Sequence, residues 1–264
     1  MNLTLDLIEL ADLVHPEQLV DEIVKQNPSL EAPIPLEDLA RLAGISRIEA
    51  FASEGFAGML LSNSEKSDGA IFYNSNDARP RQRFTIGHEL GHFLLPWHRQ
   101  STFECSSKDL SFSSNIEWEI QANRFSAELL MPRALVMKQL RLARDPDIFH
   151  IKQLAKQFET SIEMTARRYV ELNEYPCAVI FSKANKVRYS TKSEFFEHRL
   201  SVHKGADLPK KSPSRGNSQV LEDWDEIESY WWLDEQRGSE MPESVYEQTL
   251  VQENGFKITL LTLD

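Results

Sequence analysis

Two histidines four residues apart, with a glutamate directly after the first, stand in Arg83-Phe84-Thr85-Ile86-Gly87-His88-Glu89-Leu90-Gly91-His92-Phe93. On a helix, His88 and His92 project from one face about a turn apart, so both imidazoles can bind one metal ion. Glu89 can then reach a water activated at that ion. This is the donor pattern for zinc-assisted hydrolysis of an amide bond, in which the ion brings the pKa of its water down to about 7 and the glutamate takes the proton.

A catalytic zinc site takes three protein ligands and keeps one position open, which leaves one donor to find. The best source is the segment Glu117-Trp118-Glu119-Ile120-Gln121-Ala122-Asn123-Arg124-Phe125-Ser126. On a helix Glu119, Ala122, Asn123 and Ser126 share a face, and the small members allow close packing against the metal helix. Glu117 and Glu128 fall on other faces and suit solvent. Spacing favours Glu119 without excluding other acids. Asn123, one turn further on, can accept the free ring N–H of a ligating histidine, or cap a buried backbone group.

These segments resemble the ImmA/IrrE family of metallopeptidases. The resemblance rests on Arg83 to His92, on Glu119-x-x-Ala122-Asn123-x-Phe125 and on Leu129-Leu130-Met131-Pro132. It extends upstream to Ile34-Pro35-Leu36-Glu37-Asp38-Leu39-Ala40 and Gly55-Phe56-Ala57-Gly58, and downstream to Leu154-Ala155 and Phe158. It implies that His88, His92 and Glu119 bind Zn2+ and that Glu89 is the general base. It also implies a helix-turn-helix transcriptional repressor as the protein substrate, cleaved to release mobile-element or stress-response genes. Gly87 stands where the family often has alanine, and Gln121 where it often has a second glutamate. A donor for the oxyanion is not identified, with His98, Tyr73 and Tyr169 as candidates.

Helices are expected at Leu3 to Val14, Pro16 to Gln26 and Pro35 to Leu42, the last closed by Gly44. Short strands follow at Ile48 to Phe51, Met59 to Leu61 and Ala70 to Tyr73. Asn76 or Asp77 would cap the metal helix and Pro96 would end it. Ser114 and Glu117 have capping-box spacing at the start of the second helix, which Pro132 stops. Further helices are expected at Ala134 to Leu142, Ile151 to Phe158 and Ile162 to Leu172. Strands are expected at Cys177 to Phe181, Val187 to Ser190 and Lys257 to Leu263. An extended substrate would lie along Ala70 to Tyr73 as the sheet edge. The expected fold is α+β: a zincin-like domain over residues 1–175 with a helix-borne metal motif, and a smaller β-containing accessory or regulatory domain over 176–264.

Composition narrows the function classes. A chain of 264 residues with 41% hydrophobic and 27% charged residues is that of a globular protein. Two cysteines, Cys105 and Cys177, are too few for a disulfide framework and suit a reducing cytoplasm. Cys105 lies between the metal motifs without a partner at ligand spacing. Residues 1–14 lack a basic n-region, and no run of about 18 apolar residues exists, so neither export nor a membrane is expected. The net charge of -12 disfavours a phosphate backbone. Ile151 to Leu172, with Arg167 and Arg168 on its second helix, is therefore expected to pack rather than bind DNA. His15, His98, His150, His198 and His203 are expected at the surface, Lys204 to Ser218 as a solvated linker, and Glu222 to Glu247 as an acidic surface with its tryptophans turned inward. The rival reading is a regulator or antitoxin-like protein that binds a repressor or toxin without cutting it. Retention of Glu89 favours the enzyme.

Overall fold

The structure, a computed structural model, describes residues 3–98, 102–106, 116–143, 145–216, 221–236, 238 and 240–263. It is α+β, with two sheets among the described residues, and divides into two compact units. The first comprises Met1–Leu135 with Lys156–Ser161, and the second Val136–Ala155 with Ile162–Asp264.

In the first unit, α1 (Leu7–Leu10), α2 (Pro16–Gln26) and α3 (Leu36–Ala43) lead into β1 (Ile45–Phe51), β2 (Phe56–Ser62) and β3 (Gly69–Asn74). α2 buries Pro16, Leu19, Val20 and Ile23, the spacing of a one-sided apolar stripe. The first helix is much shorter than Leu3 to Val14. The Asp6 side chain accepts from Ile8 N and so starts it late, and Ala11 closes it. Gly44 ends α3 in the left-handed region at φ 109, where a β-carbon would be strained.

Next come α4 (Arg79–Leu94), β4 (Thr102–Ser106) and α5 (Ile116–Leu130). The sheet order is β1-β3-β2-β4, with β1 parallel to β3 and the other pairs antiparallel. β3 therefore lies inside the sheet, which corrects its expected place at the edge. Its near-continuous burial over Gly69–Asn74 is that of a strand covered on both faces, whereas β1 leaves most of its length exposed. β4 is an edge strand among the described residues.

α4 packs on β2 and β3 and against α5, and α2 packs on α5. Burial on two sides explains why α4 is enclosed without a break from Thr85 to Phe93. Its N-cap is Ala78, with no side-chain cap, rather than Asn76 or Asp77. Ser114, the expected cap of α5, lies outside the described residues. At the other end of α4 the Lys66 ammonium donates to His92 O at 2.7 Å and Leu95 O at 2.8 Å. A cation there satisfies carbonyls that the last turn leaves open and favours the negative end of the helix dipole.

α6 (Arg133–Leu140) and α7 (Ile148–Phe158) each contribute residues to both units. The second unit adds α8 (Ile162–Leu172) and a sheet of β5 (Cys177–Lys183), β6 (Lys186–Lys192), β7 (Leu221–Glu228), β8 (Ser244–Val251) and β9 (Phe256–Thr262), ordered β6-β5-β9-β8-β7. Ala178, Ile180, Phe196, Trp232, Val245 and Leu261 belong to its core. The expected linker is ordered over 204–216. Glu247, buried beneath it, accepts from Ser212 Oγ at 2.7 Å, Ser214 N at 3.0 Å and Trp232 Nε1 at 2.8 Å. Lys257 Nζ donates to Ser214 O and Gly216 O, both at 2.6 Å. The acidic stretch forms strands β7 and β8; Trp232 is fully buried but Trp224 is exposed.

The expected boundary at 175/176 falls inside the second unit, because α8 packs on β5 and β6. Thr165, Ala166, Tyr169 and Val170 are its buried face. A fragment ending at Glu174 would expose them, at about 1.5–3 kcal/mol for each large apolar side chain. We expect residues 1–174 to aggregate or to unfold well below the full chain in a thermal melt. A soluble fragment melting with the full chain would restore the boundary at 175.

Candidate metal centre

Two helices of the first unit build the site. α4 presents His88, Glu89 and His92, and α5 presents Glu119 and Asn123. The helices approach closely because α4 carries glycine where α5 crosses it. A β-carbon at Gly87 would lie 2.6 Å from Ser126 Oγ, and one at Gly91 3.0 Å from the Phe125 ring. Gly87, a departure from the family pattern, is thus matched to Ser126, whose hydroxyl donates to Phe84 O at 2.7 Å.

His88 Nε2 and His92 Nε2 are 3.0 Å apart. Glu119 places one carboxylate oxygen 3.2 Å from His88 Nε2 and the other 3.3 Å from His92 Nε2. Both imidazoles are buried, while the Glu119 side chain keeps 23% of its exposure. On the far side of the first ring, His88 Nδ1 lies 3.1 Å from Asn123 Oδ1. An amide oxygen accepts, so Nδ1 carries the proton and Nε2 turns its lone pair toward the other donors.

This donor set fits a zinc ion. Tetrahedral zinc at its usual bond lengths of ~2.0–2.1 Å separates its ligands by about 3.3 Å, close to all three spacings here. His88, His92 and Glu119 are also the group of metal-ligating type that converges among the described residues. Electrostatics agrees. Burial opposes charge on Glu119, but its close contacts with the His88 and His92 imidazoles outweigh it and hold the carboxyl far below the usual range. Burial and the neighbouring His88 keep His92 neutral, with a pKa lowered to about 4. Burial also works against a charged His88, yet Glu119 and Glu89 raise its pKa above the ordinary imidazole value. The negative field that rewards a proton on His88 would reward a cation among the three donors more.

Glu89 is fully buried. It lies against β2, where a β-carbon on Gly58 would be 2.9 Å from Glu89 Oε1 and 2.2 Å from Thr85 Cγ2. Tyr73 of β3 is registered opposite Gly58, and residues directly opposite across two strands share a face. Its side chain therefore stands on the side of the sheet that α4 covers.

His98 departs furthest from expectation. It is fully buried rather than at the surface, because the turn after α4 folds it against the second ligand. His98 Nδ1 lies 2.9 Å from His92 Nδ1, and His98 Nε2 lies 3.0 Å from Gln121 Oε1. The same Gln121 oxygen accepts from Trp97 Nε1 at 2.7 Å. The His98 ring stacks on Trp118 at 4.9 Å, and burial lowers its pKa to about 4. Of the other oxyanion candidates, Tyr169 belongs to the second unit and its hydroxyl accepts from Asp147 N at 3.1 Å. Arg168 of α8 is buried beside Glu171, which leaves Arg167 as the exposed member of that pair. No signal of period or spacing marked His98, since Pro96 separates it from the metal helix. The available hint was Gln121, which replaces an acid within the second motif.

Residues 47–169 match the peptidase family described as IrrE N-terminal-like domain. No curated protein matches the chain. Among solved structures, a Mycobacterium tuberculosis transcriptional regulator is similar over 97% of this chain and 72% of that one, with 9% identity and a TM-score of 0.43. So distant a likeness decides neither fold nor function. No helix among the described residues is long and apolar enough to cross a membrane.

Proposed function

Through residues 47–169 the chain belongs to the ImmA/IrrE family, and from that premise we propose that it is a cytoplasmic zinc-dependent endopeptidase, zincin-like in its first unit, whose substrate is a helix-turn-helix transcriptional repressor. The observation that carries the catalytic part is the convergence of His88, His92 and Glu119 with Glu89 on the same helix turn. The repressor as substrate rests on the family resemblance.

His88, His92 and Glu119 would hold the ion, which supplies Lewis-acid activation of water and of the scissile carbonyl when bound. Glu89 takes the proton from the attacking water on its carboxylate and delivers it to the leaving amine nitrogen. Its enclosure by Gly58 and Thr85 fixes the carboxylate's direction. Asn123 holds the His88 ring by its second nitrogen. Tyr73, partly exposed on the face toward α4, is the oxyanion donor of choice, because the polar atoms of His98 and Tyr169 are engaged elsewhere. β3 is interior, so an extended peptide segment adds along the outer side of β4 instead.

The test is direct. Mixed with a helix-turn-helix repressor encoded beside it, the zinc-loaded protein should cut that repressor at one or a few sites, and a chelator should stop the cleavage. Intact repressor in a stable complex after long incubation would instead establish the binding-only regulator.

A further inference from the structure

We propose that His98 and Gln121 are positioning residues that lock His92 in the tautomer able to bind metal. The inference rests on the zinc reading of His88, His92 and Glu119, and it follows from which atoms are able to donate.

The relay starts at Trp97. An indole N–H can only donate, so the Gln121 atom 2.7 Å from Trp97 Nε1 must be the amide oxygen. That settles the orientation of the amide. The same oxygen lies 3.0 Å from His98 Nε2, which must therefore carry a hydrogen. In a neutral imidazole the other nitrogen is then an acceptor. His98 Nδ1 lies 2.9 Å from His92 Nδ1, so His92 donates there. Its own Nε2 is left with a lone pair, directed at His88 Nε2 and Glu119 Oε1.

Each link has one allowed direction, and the last places the lone pair where a metal needs it. Without the relay, the His92 proton can sit on Nε2, where it bonds to Glu119 and closes the site to a cation. Both helices contribute: Trp97 and His98 follow α4, and Gln121 lies on α5 two residues after the third donor. Stacking on Trp118 keeps the His98 ring in the plane the relay requires. Gln121 thus does with a neutral amide what a carboxylate at the same position would do with a charge.

The test is zinc affinity of the full chain, read by competition with a chromophoric chelator at pH 7.5. His98→Phe keeps a ring on Trp118 but has no acceptor for His92, and we expect zinc to bind about 10–100-fold more weakly, the usual cost of losing an outer partner of a ligating histidine. His98→Asn loses ring packing but offers Oδ1 near the place of Nδ1, and should recover most of that loss. If His98 only packs, the order reverses and the phenylalanine variant binds as the parent does, which overturns the proposal. Should His98→Phe not fold, Gln121→Leu against Gln121→Glu decides: the leucine should weaken zinc about tenfold and the glutamate should not. Equal affinity in all four variants sinks the relay and leaves the zinc site standing. A parent that binds no zinc sinks the zinc reading itself.

Discussion

Replacing Glu89 by glutamine is expected to leave the fold and the bound zinc intact and to lower cleavage of a repressor by about 10²–10⁴-fold, the usual share of a positioned general base. The amide has the shape of the carboxylate but cannot take a proton from water. Shape matters at this position, because Glu89 is fully enclosed against Gly58 and Thr85. Glu89→Ala would leave a void and confuse loss of chemistry with loss of packing. The glutamine variant avoids this, so its melting temperature should stay near the parent's. The measurements are zinc content, a thermal melt and single-turnover cleavage beside the parent. Cleavage at the parent's rate would remove Glu89 from the chemistry, whatever the metal does.

The helix that carries these residues was legible because its signals agree: a metal motif, apolar neighbours and Pro96 close to its end. α5 was legible for the same reason, and the face shared by Glu119, Ala122, Asn123 and Ser126 does meet α4. Other parts were hidden for identifiable reasons. β7 reads Leu-Glu-Asp-Trp-Asp-Glu-Ile-Glu, and aspartate and glutamate are poor strand formers. It lies at a sheet edge, where charge prevents pairing with another chain, so its acidity is what an edge strand requires. β3 looked like an edge only because consecutive strands usually pair; here β1 and β2 flank it on opposite sides. Glu163, on α8, is held by Arg188 at 2.8 Å and Tyr189 at 2.5 Å, a contact that local pattern cannot show. His98 was hidden most completely, since its burial depends on a turn whose course is set by tertiary packing.

Changing His88, His92 or Glu119 to alanine is expected to abolish stoichiometric zinc, and Glu119→Ala carries the most information because that side chain is the least buried of the three. In the parent, zinc at a thousand times its dissociation constant would stabilise the fold by about 4.1 kcal/mol, and the variant should lack this increment. pH separates the metal role of Glu119 from its direct contacts. In zinc-free protein, Glu119 stabilises through His88, whose pKa is raised because, although burial opposes it, the carboxylates attract its proton. A raised folded-state pKa contributes stability that is complete below the unfolded value and is lost as pH rises through the folded one. Zinc-free Glu119→Ala should therefore be less stable than zinc-free parent in mild acid and approach it in mild base. With zinc the pH trend inverts, because the ion needs His88 deprotonated and is displaced by protons as pH falls. The gap between zinc-loaded parent and variant should be widest above neutrality and fall in acid to the zinc-free gap. Thermal melts of both proteins from pH 5 to pH 8.5, with and without zinc, would show two gaps running in opposite directions. A single gap of the same sign and size under every condition would make Glu119 a packing residue and move the third ligand elsewhere, with Glu117 next to be tested.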